Sequence, residues 1–294
     1  MHHVANYDQA SFLVPPDYEK HSQGYARIAL VDHTITGAVH TGLGLCRLDA
    51  DGTLNPHVHF YEEAFFILEG HMLESIDGHE YQLGSGDYGI IQAGVPHALH
   101  NIEDHPVRWL EVLSPQPKAP NQERDILFLK AETAPNRGSP PDFRDPMTRY
   151  LGHFDDAQMP PHALLQMEGY RGTSISGISL KMLVDHMLGA QHLTLFMVEF
   201  QPGGAGNIHD HPFEEAYFFL SGEAEAILDG KTYHVKAGDY VWTSVGGTHG
   251  FFNKGTVPMR WIETQAPQPP NQQGFRFLAD WAYLSEKLDA QDSR

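Results

Sequence analysis

Short apolar runs broken by turn residues set the pattern of this chain. From Tyr25 onward the stretches 27–33, 41–49, 62–70, 71–78, 79–87, 88–94, 96–101 and 107–115 carry Val, Ile, Leu, Phe and Tyr, with Gly, Asp or Pro between them. Turn signals about every 8 to 12 residues predict the strands of a β-sandwich or barrel. Asp77-Gly78 and Asp229-Gly230 predict two-residue hairpin turns, because a type I′ connection needs positive φ. Residues 1 to about 25, polar and punctuated by Pro15-Pro16, read as an arm or a leading edge strand. Residues 280–294 read as a short amphipathic helix with a frayed tail.

The pattern occurs twice. Residues 56–70, PHVHFYEEAFFILEG, return as residues 207–222, NIHDHPFEEAYFFLSG, at an offset of 152 (209 minus 57). The same offset relates Gly86-Asp87-Tyr88 to Gly238-Asp239-Tyr240, His97 to His249, Asn101 to Asn253 and Trp109 to Trp261. One offset held over so many positions means a duplicated module. The expected division is an N-terminal module at 1–130, a surface strap at 131–168 and a C-terminal module at 169–294. A hydrophobic content of 41% suffices for a core in each.

Charge and cysteine usage then exclude several classes. A formal charge of −19 with no basic stripe argues against nucleic acid, whose phosphates need cations to neutralise them. It also disfavours anionic membranes. Cys46 is the only cysteine, so no intrachain disulfide can form and a reducing compartment is expected. Neither a signal peptide nor a membrane-spanning run is read from the chain. The expected setting is cytoplasmic and the expected partner a small-molecule substrate, with homo-oligomerisation left open.

The duplicated histidines carry the candidate chemistry. His57 and His59, two apart on a strand, point to one face, as do His209 and His211. On one straight strand His59 and Glu63 would lie roughly 13 Å apart, too far to share an ion. A chain reversal at 60–62 and at 212–214 is therefore expected, placing Glu63 and Glu215 on a return strand that faces the histidines across a hairpin. A later hairpin is expected to deliver His97 and His249.

These segments resemble the two motifs of the cupin superfamily. The first motif reads His57, His59, Glu63, Gly70 and again His209, His211, Glu215, Gly222; the second reads Gly86, Gly94, His97, Asn101 and Gly238, Gly246, His249, Asn253. Gln92 and Ser244 stand where the second motif has proline, which alters a turn and not a ligand. The resemblance covers about 50 residues of each module tightly. It implies an all-β bicupin: two tandem double-stranded β-helix (jelly-roll) barrels with short peripheral helices. It also implies a divalent transition metal in each, held by His57, His59, Glu63 and His97 and by His209, His211, Glu215 and His249.

Three imidazoles and one carboxylate suit Fe(II) or Mn(II), with Ni(II), Cu(II) and Zn(II) also accommodated. Four protein donors on a six-coordinate ion leave two positions open, and the residual formal charge of +1 favours an anionic oxygen. Glu111 and Glu263, in the matching strands RWLE and RWIE, are candidate catalytic carboxylates. Either they face inward with raised pKa values, or they pair with Arg108 and Arg260 on the rim. Glu62 and Glu214 are expected on the turns, solvated. Phe65, Phe66, Tyr217, Phe219, Trp242 and Phe251 are expected as barrel core or pocket lining, and Asn101 and Asn253 as partners for backbone groups.

The first functional expectation is a dioxygenase-type oxidoreductase acting on a small, anionic, enolisable or aromatic substrate, by similarity to quercetinase-like bicupins. The alternative is redox-neutral metal chemistry: a decarboxylase, isomerase or hydrolase. Oxalate decarboxylases use the same ligand types but carry tryptophan near the paired histidines, where Val58, Asp210, Ala64 and Ala216 stand here. A non-catalytic binding bicupin is the third reading.

Overall fold

A computed structural model describes residues 1–7, 11–120, 122, 124–130, 135, 137–165, 174–268 and 276–277. The expected helix at 280–294 lies outside the described residues. The described residues include short 3-10 turns at Pro16–Tyr18, Pro146–Thr148 and Asp156–Gln158, and among the described residues no helix is long and apolar enough to cross a membrane.

The first module runs through strands β2 (Ser22–Val31), β3 (Gly42–His59), β4 (Glu62–Glu69), β5 (His71–Ile76), β6 (His79–Gly84), β7 (Asp87–Ile91), β8 (His97–His100), β9 (Val107–Ser114) and β10 (Ile126–Phe128). The second repeats it with β13 (Ile175–Val184), β14 (Thr194–Asp210), β15 (Glu214–Ser221), β16 (Glu223–Leu228), β17 (Lys231–Lys236), β18 (Asp239–Thr243), β19 (His249–Phe252), β20 (Met259–Ala266) and β21 (Arg276–Phe277). Strand order is β7-β4-β9-β3-β8-β5-β6 in one sheet and β18-β15-β20-β14-β19-β16-β17 in the other, the same path at the same offset. Each is a curled antiparallel sheet of a jelly-roll barrel.

One long strand turns the corner of each barrel. The first half of β3 pairs with β9 and its second half with β8 and β10. At the bend Asp51 has φ 55°, and a Cβ on Gly52 would come within 2.6 Å of the Asp49 carbonyl oxygen. Gly203 and Gly204 repeat the device in β14, with φ 78° at Gly203 and the Gln201 carbonyl 2.8 Å from a Cβ on Gly204. Such bends relocate a strand from one wall to the next. The expected hairpin turns at 77–78 and 229–230 are present, with φ 50° and 79°, then 46° and 76°.

The modules are laced together. β1 (His2–Asn6), the leading edge strand, pairs with β18 of the second module, while β11 (Leu151–His153) pairs with β7 of the first. Corresponding edges are thus covered, and edge hydrogen-bonding groups are satisfied. A further short strand, β12 (Ala163–Leu165), pairs with β13. Alternation along β4 sends Phe65 and Ile67 into the first barrel and Ala64 and Phe66 into a core shared by both modules. In the second module Tyr217, Phe219 and Phe251 fill the barrel, whereas Phe218 and Trp242 join the shared core. Both faces are buried, which explains the near-continuous apolar runs.

Candidate metal centres

The ligand-type residues converge by a different route from the expected one. No hairpin joins β3 to β4: the chain crosses at Phe60-Tyr61 from the strand that carries His57 and His59 to one paired with β9 and β7. Likewise β7 pairs with β4 and β11, whereas β8 pairs with β3 and β5. Two corners, not two hairpins, bring the groups together, because a jelly roll alternates its strands between walls. In register, His57 faces His97 across β3–β8, and His209 faces His249 across β14–β19.

In the first barrel His59 Nε2 lies 3.2 Å and His97 Nε2 4.0 Å from Glu63 Oε2. The His57 and His97 rings are 4.0 Å apart, centroid to centroid. In the second barrel His211 Nε2 and His249 Nε2 lie 2.8 and 3.0 Å from Glu215 Oε2, and the His209 ring is 4.4 Å from that of His249. The donor atoms of His59, Glu63 and His97, and those of His209, His211 and His249, each lie within 4.8 Å of one another.

The imidazole tautomers follow from the backbone. Nδ1 of His57, His59, His97, His209, His211 and His249 each faces a carbonyl, that of Asn55, Tyr61, Val95, Asn207, Phe213 and Gly247, at 2.6 to 3.1 Å. Each Nδ1 therefore carries the proton and donates it, leaving the Nε2 lone pair pointing inward. This is how imidazole ligands are oriented for metal binding. His59 Nε2 and His249 Nε2 are buried without a hydrogen-bond partner, although each lies near a carboxylate. Lone pairs of nitrogen and oxygen facing each other at about 3 Å are reconciled by a metal ion or a proton between them. The donor set thus fits a divalent transition metal. Burial holds His57 down to about 4 and His209 to about 3, so both imidazoles are neutral at neutral pH. His59 and His211 are further fixed by parallel stacking on Tyr61 and Phe213.

Surrounding carboxylates depart from expectation. Glu111 and Glu263 both face inward, and neither pairs with the adjacent arginine. Arg108 pairs with Glu69, and Arg260 with Glu199 and Asp156. Glu111 instead pairs with Arg27 and accepts a hydrogen bond from Cys46 Sγ. Burial and then the Glu215 charge push Glu263 well up, and Trp261 Nε1 donates to it.

The expectation that Glu62 and Glu214 are solvated is wrong. Alternation places them on the face opposite the ligand glutamates, and that face is covered by the other module. Glu62 accepts from the backbone N–H groups of Gln191 and His192; Glu214 accepts from those of Val39, His40 and Thr41 and from Trp242 Nε1. Residues 39–40 and 191–192 are themselves related by the offset, so the latch is reciprocal. Asn101 and Asn253 bond backbone groups as expected.

Sequence reasoning missed the partners of Glu215, which accepts from Tyr217 Oη and Gln265 Nε2. It also missed Glu74. The signal for Glu74 was present, a glutamate at an inward slot of the alternating run 71–76.

Residues 44–113 and 196–264 each match the family described as the cupin domain. No curated protein sequence matches the chain. Several solved structures share its fold. The oxalate decarboxylase of Lactobacillus farciminis, in its formate complex, is 17% identical with a TM-score of 0.65, over 98% of this chain and 92% of that one. The salicylate 1,2-dioxygenase of Pseudoaminobacter salicylatoxidans, in a mutant form, is 12% identical with a TM-score of 0.61, over 82% and 76%. The oxalate decarboxylase of Bacillus subtilis, studied for its Mn(II) centres, is 16% identical with a TM-score of 0.57, over 90% and 79%. At these identities the likeness is one of fold.

Proposed function

Because the chain is a bicupin, with one cupin domain at residues 44–113 and another at 196–264, we propose that it is a metal-dependent enzyme. It is a dioxygenase-type oxidoreductase for a small, anionic, enolisable or aromatic substrate. The observation that carries this reading is the clustering of His59, Glu63 and His97 in the first barrel, with the His57 ring beside that of His97, and of His209, His211 and His249 about Glu215 in the second, every Nδ1 being tied to a carbonyl. His57, His59, Glu63 and His97 would hold one ion; His209, His211, Glu215 and His249 would hold the other. Fe(II) or Mn(II) suits the donors, and Ni(II), Cu(II) or Zn(II) could replace them. A bound ion supplies Lewis acidity at open coordination positions and, as iron, electrons for dioxygen chemistry.

The chain's own residues do the rest. The six imidazoles and two carboxylates would hold the ions, and the carboxylates would partly neutralise them. Tyr18, Tyr25, Phe65 and Trp109 line the first cavity and exclude bulk water, which strengthens electrostatic interactions within it. Arg27 holds Glu111 in place, and the charge of Glu215 raises the pKa of its neighbour Glu263.

A redox-neutral reaction of the decarboxylase type is the second reading. It is favoured by the size of the first cavity, about 10 Å³, which is room for a molecule no larger than water. Any substrate requires the lining to open, and a small carboxylate requires less movement than an aromatic ring.

Metal analysis of protein purified without added metal, followed by oxygen-uptake assays with enolisable and phenolic anions, tests both readings. About one equivalent of transition metal per barrel with oxygen consumption is expected. Turnover without oxygen consumption would favour the second reading, and anion binding without turnover a non-catalytic role. Failure to retain or take up metal would refute all the metal-dependent readings.

A further inference from the structure

The two centres sit in different surroundings. On β5, Met72, Glu74 and Ile76 alternate inward, and Glu74 is 2% exposed with its Oε2 buried and without a hydrogen-bond partner. Across the sheet it is opposed by Tyr81 on β6 and Leu99 on β8, and the Tyr81 hydroxyl is engaged with that of Tyr150. Glu74 lines the same small cavity as His57, Glu63 and His97. The duplication puts Ala226 at its place in the second barrel.

The ligand carboxylates differ as well. Glu215 is held by Tyr217 and Gln265 and is 2% exposed. Phe65 and Leu113 stand at those two positions in the first barrel, and the Glu63 side chain is 14% exposed. The first barrel therefore differs from the second in a buried, unpartnered carboxyl lining its cavity and in a more exposed ligand carboxylate. An unpartnered polar group in an apolar wall is destabilising, and the second copy of the module does without it.

We propose that Glu74 is a substrate-binding residue, donating a hydrogen bond to an anionic oxygen of the ligand in the N-terminal cavity, and that this barrel is the one that takes substrate. The proposal rests on the metal-centre reading above. Burial, and then the charge of Glu63, push the Glu74 carboxyl well up, which favours the form able to donate a hydrogen bond. A donor in the same cavity as a cationic centre selects ligands that bring negative charge on a small atom.

The test uses the whole protein loaded with Mn(II), with fluoride as a water-sized anionic probe followed by the manganese resonance spectrum. Three proteins are compared: wild type, Glu74→Met, which keeps volume without a donor, and Glu74→Gln, which keeps one. Loss of one strong hydrogen bond predicts fluoride affinity about tenfold weaker in Glu74→Met, and within about threefold of wild type in Glu74→Gln. Manganese stoichiometry should be unchanged, and the Tm of Glu74→Met should not fall. Fluoride binding by Glu74→Met within about threefold of wild type would overturn the proposal. So would the loss of one manganese, which makes Glu74 a metal ligand, or a fall in Tm, which makes its role structural. A wild-type protein that retains no manganese sinks the metal reading and this proposal together, before fluoride is added.

Discussion

The Glu214 latch offers the sharpest stability test. Its carboxylate is 1% exposed and accepts from Val39 N at 2.9 Å, His40 N at 3.2 Å, Thr41 N at 3.1 Å and Trp242 Nε1 at 3.2 Å. A hydrogen bond to a charged group is worth about 1.5–3 kcal/mol. Four such bonds do not add, because the freed loop can rehydrate and the buried carboxylate's own desolvation cost disappears with it. Leaving a buried donor unsatisfied costs about 1–3 kcal/mol, and Glu214→Ala, which leaves several, is expected to cost about 3–5 kcal/mol. Glu62 accepts only from Gln191 N and His192 N, each at 2.8 Å, so Glu62→Ala should cost less, about 2–3 kcal/mol. Urea unfolding reads both values from the midpoint, provided the slope is unchanged. A Glu214→Ala loss under about 1 kcal/mol, or a larger loss in Glu62→Ala, would refute the view that these carboxylates clamp the modules.

Four further outcomes are expected. His57→Ala combined with His209→Ala should abolish metal retention while circular dichroism still reports folded barrels; unfolding instead would make the metals structural. Tyr217→Phe removes a donor to Glu215 and should weaken the second centre about 10- to 100-fold in a chelator competition, leaving the first unchanged. Arg27→Met strands the buried Glu111 and should cost about 3–5 kcal/mol, most of it recovered by adding Glu111→Leu. In metal-free protein, His57 at about 4 lies below an unfolded value of about 6.5. The unfolded chain therefore binds the extra proton first, and the stability present above pH 6.5 is lost as pH falls towards 4, by roughly 3 kcal/mol. Acid titration of the unfolding free energy checks the window, and a His57→Gln variant with the same pH profile would refute the assignment.

What could be read from the chain alone was whatever repeats or alternates. The 152-residue offset, the turns at 77–78 and 229–230 and the all-β character follow from local spacing, because strand period and turn chemistry act over a few residues; the eight ligand-type positions were proposed from the motif resemblance. The hairpins read between His59 and Glu63 were mistaken for the same reason. Local spacing says that the chain must turn, and only strand pairing says which wall it turns to. The burial of Glu62 and Glu214, the Arg27–Glu111 pair, the exchange of β1 and β11 and the asymmetry between Glu74 and Ala226 all depend on residues far apart in sequence. Which face of a strand is buried, and against what, is decided when the two barrels pack, since a side chain's solvation and charge partners belong to the assembled surface and not to its own segment.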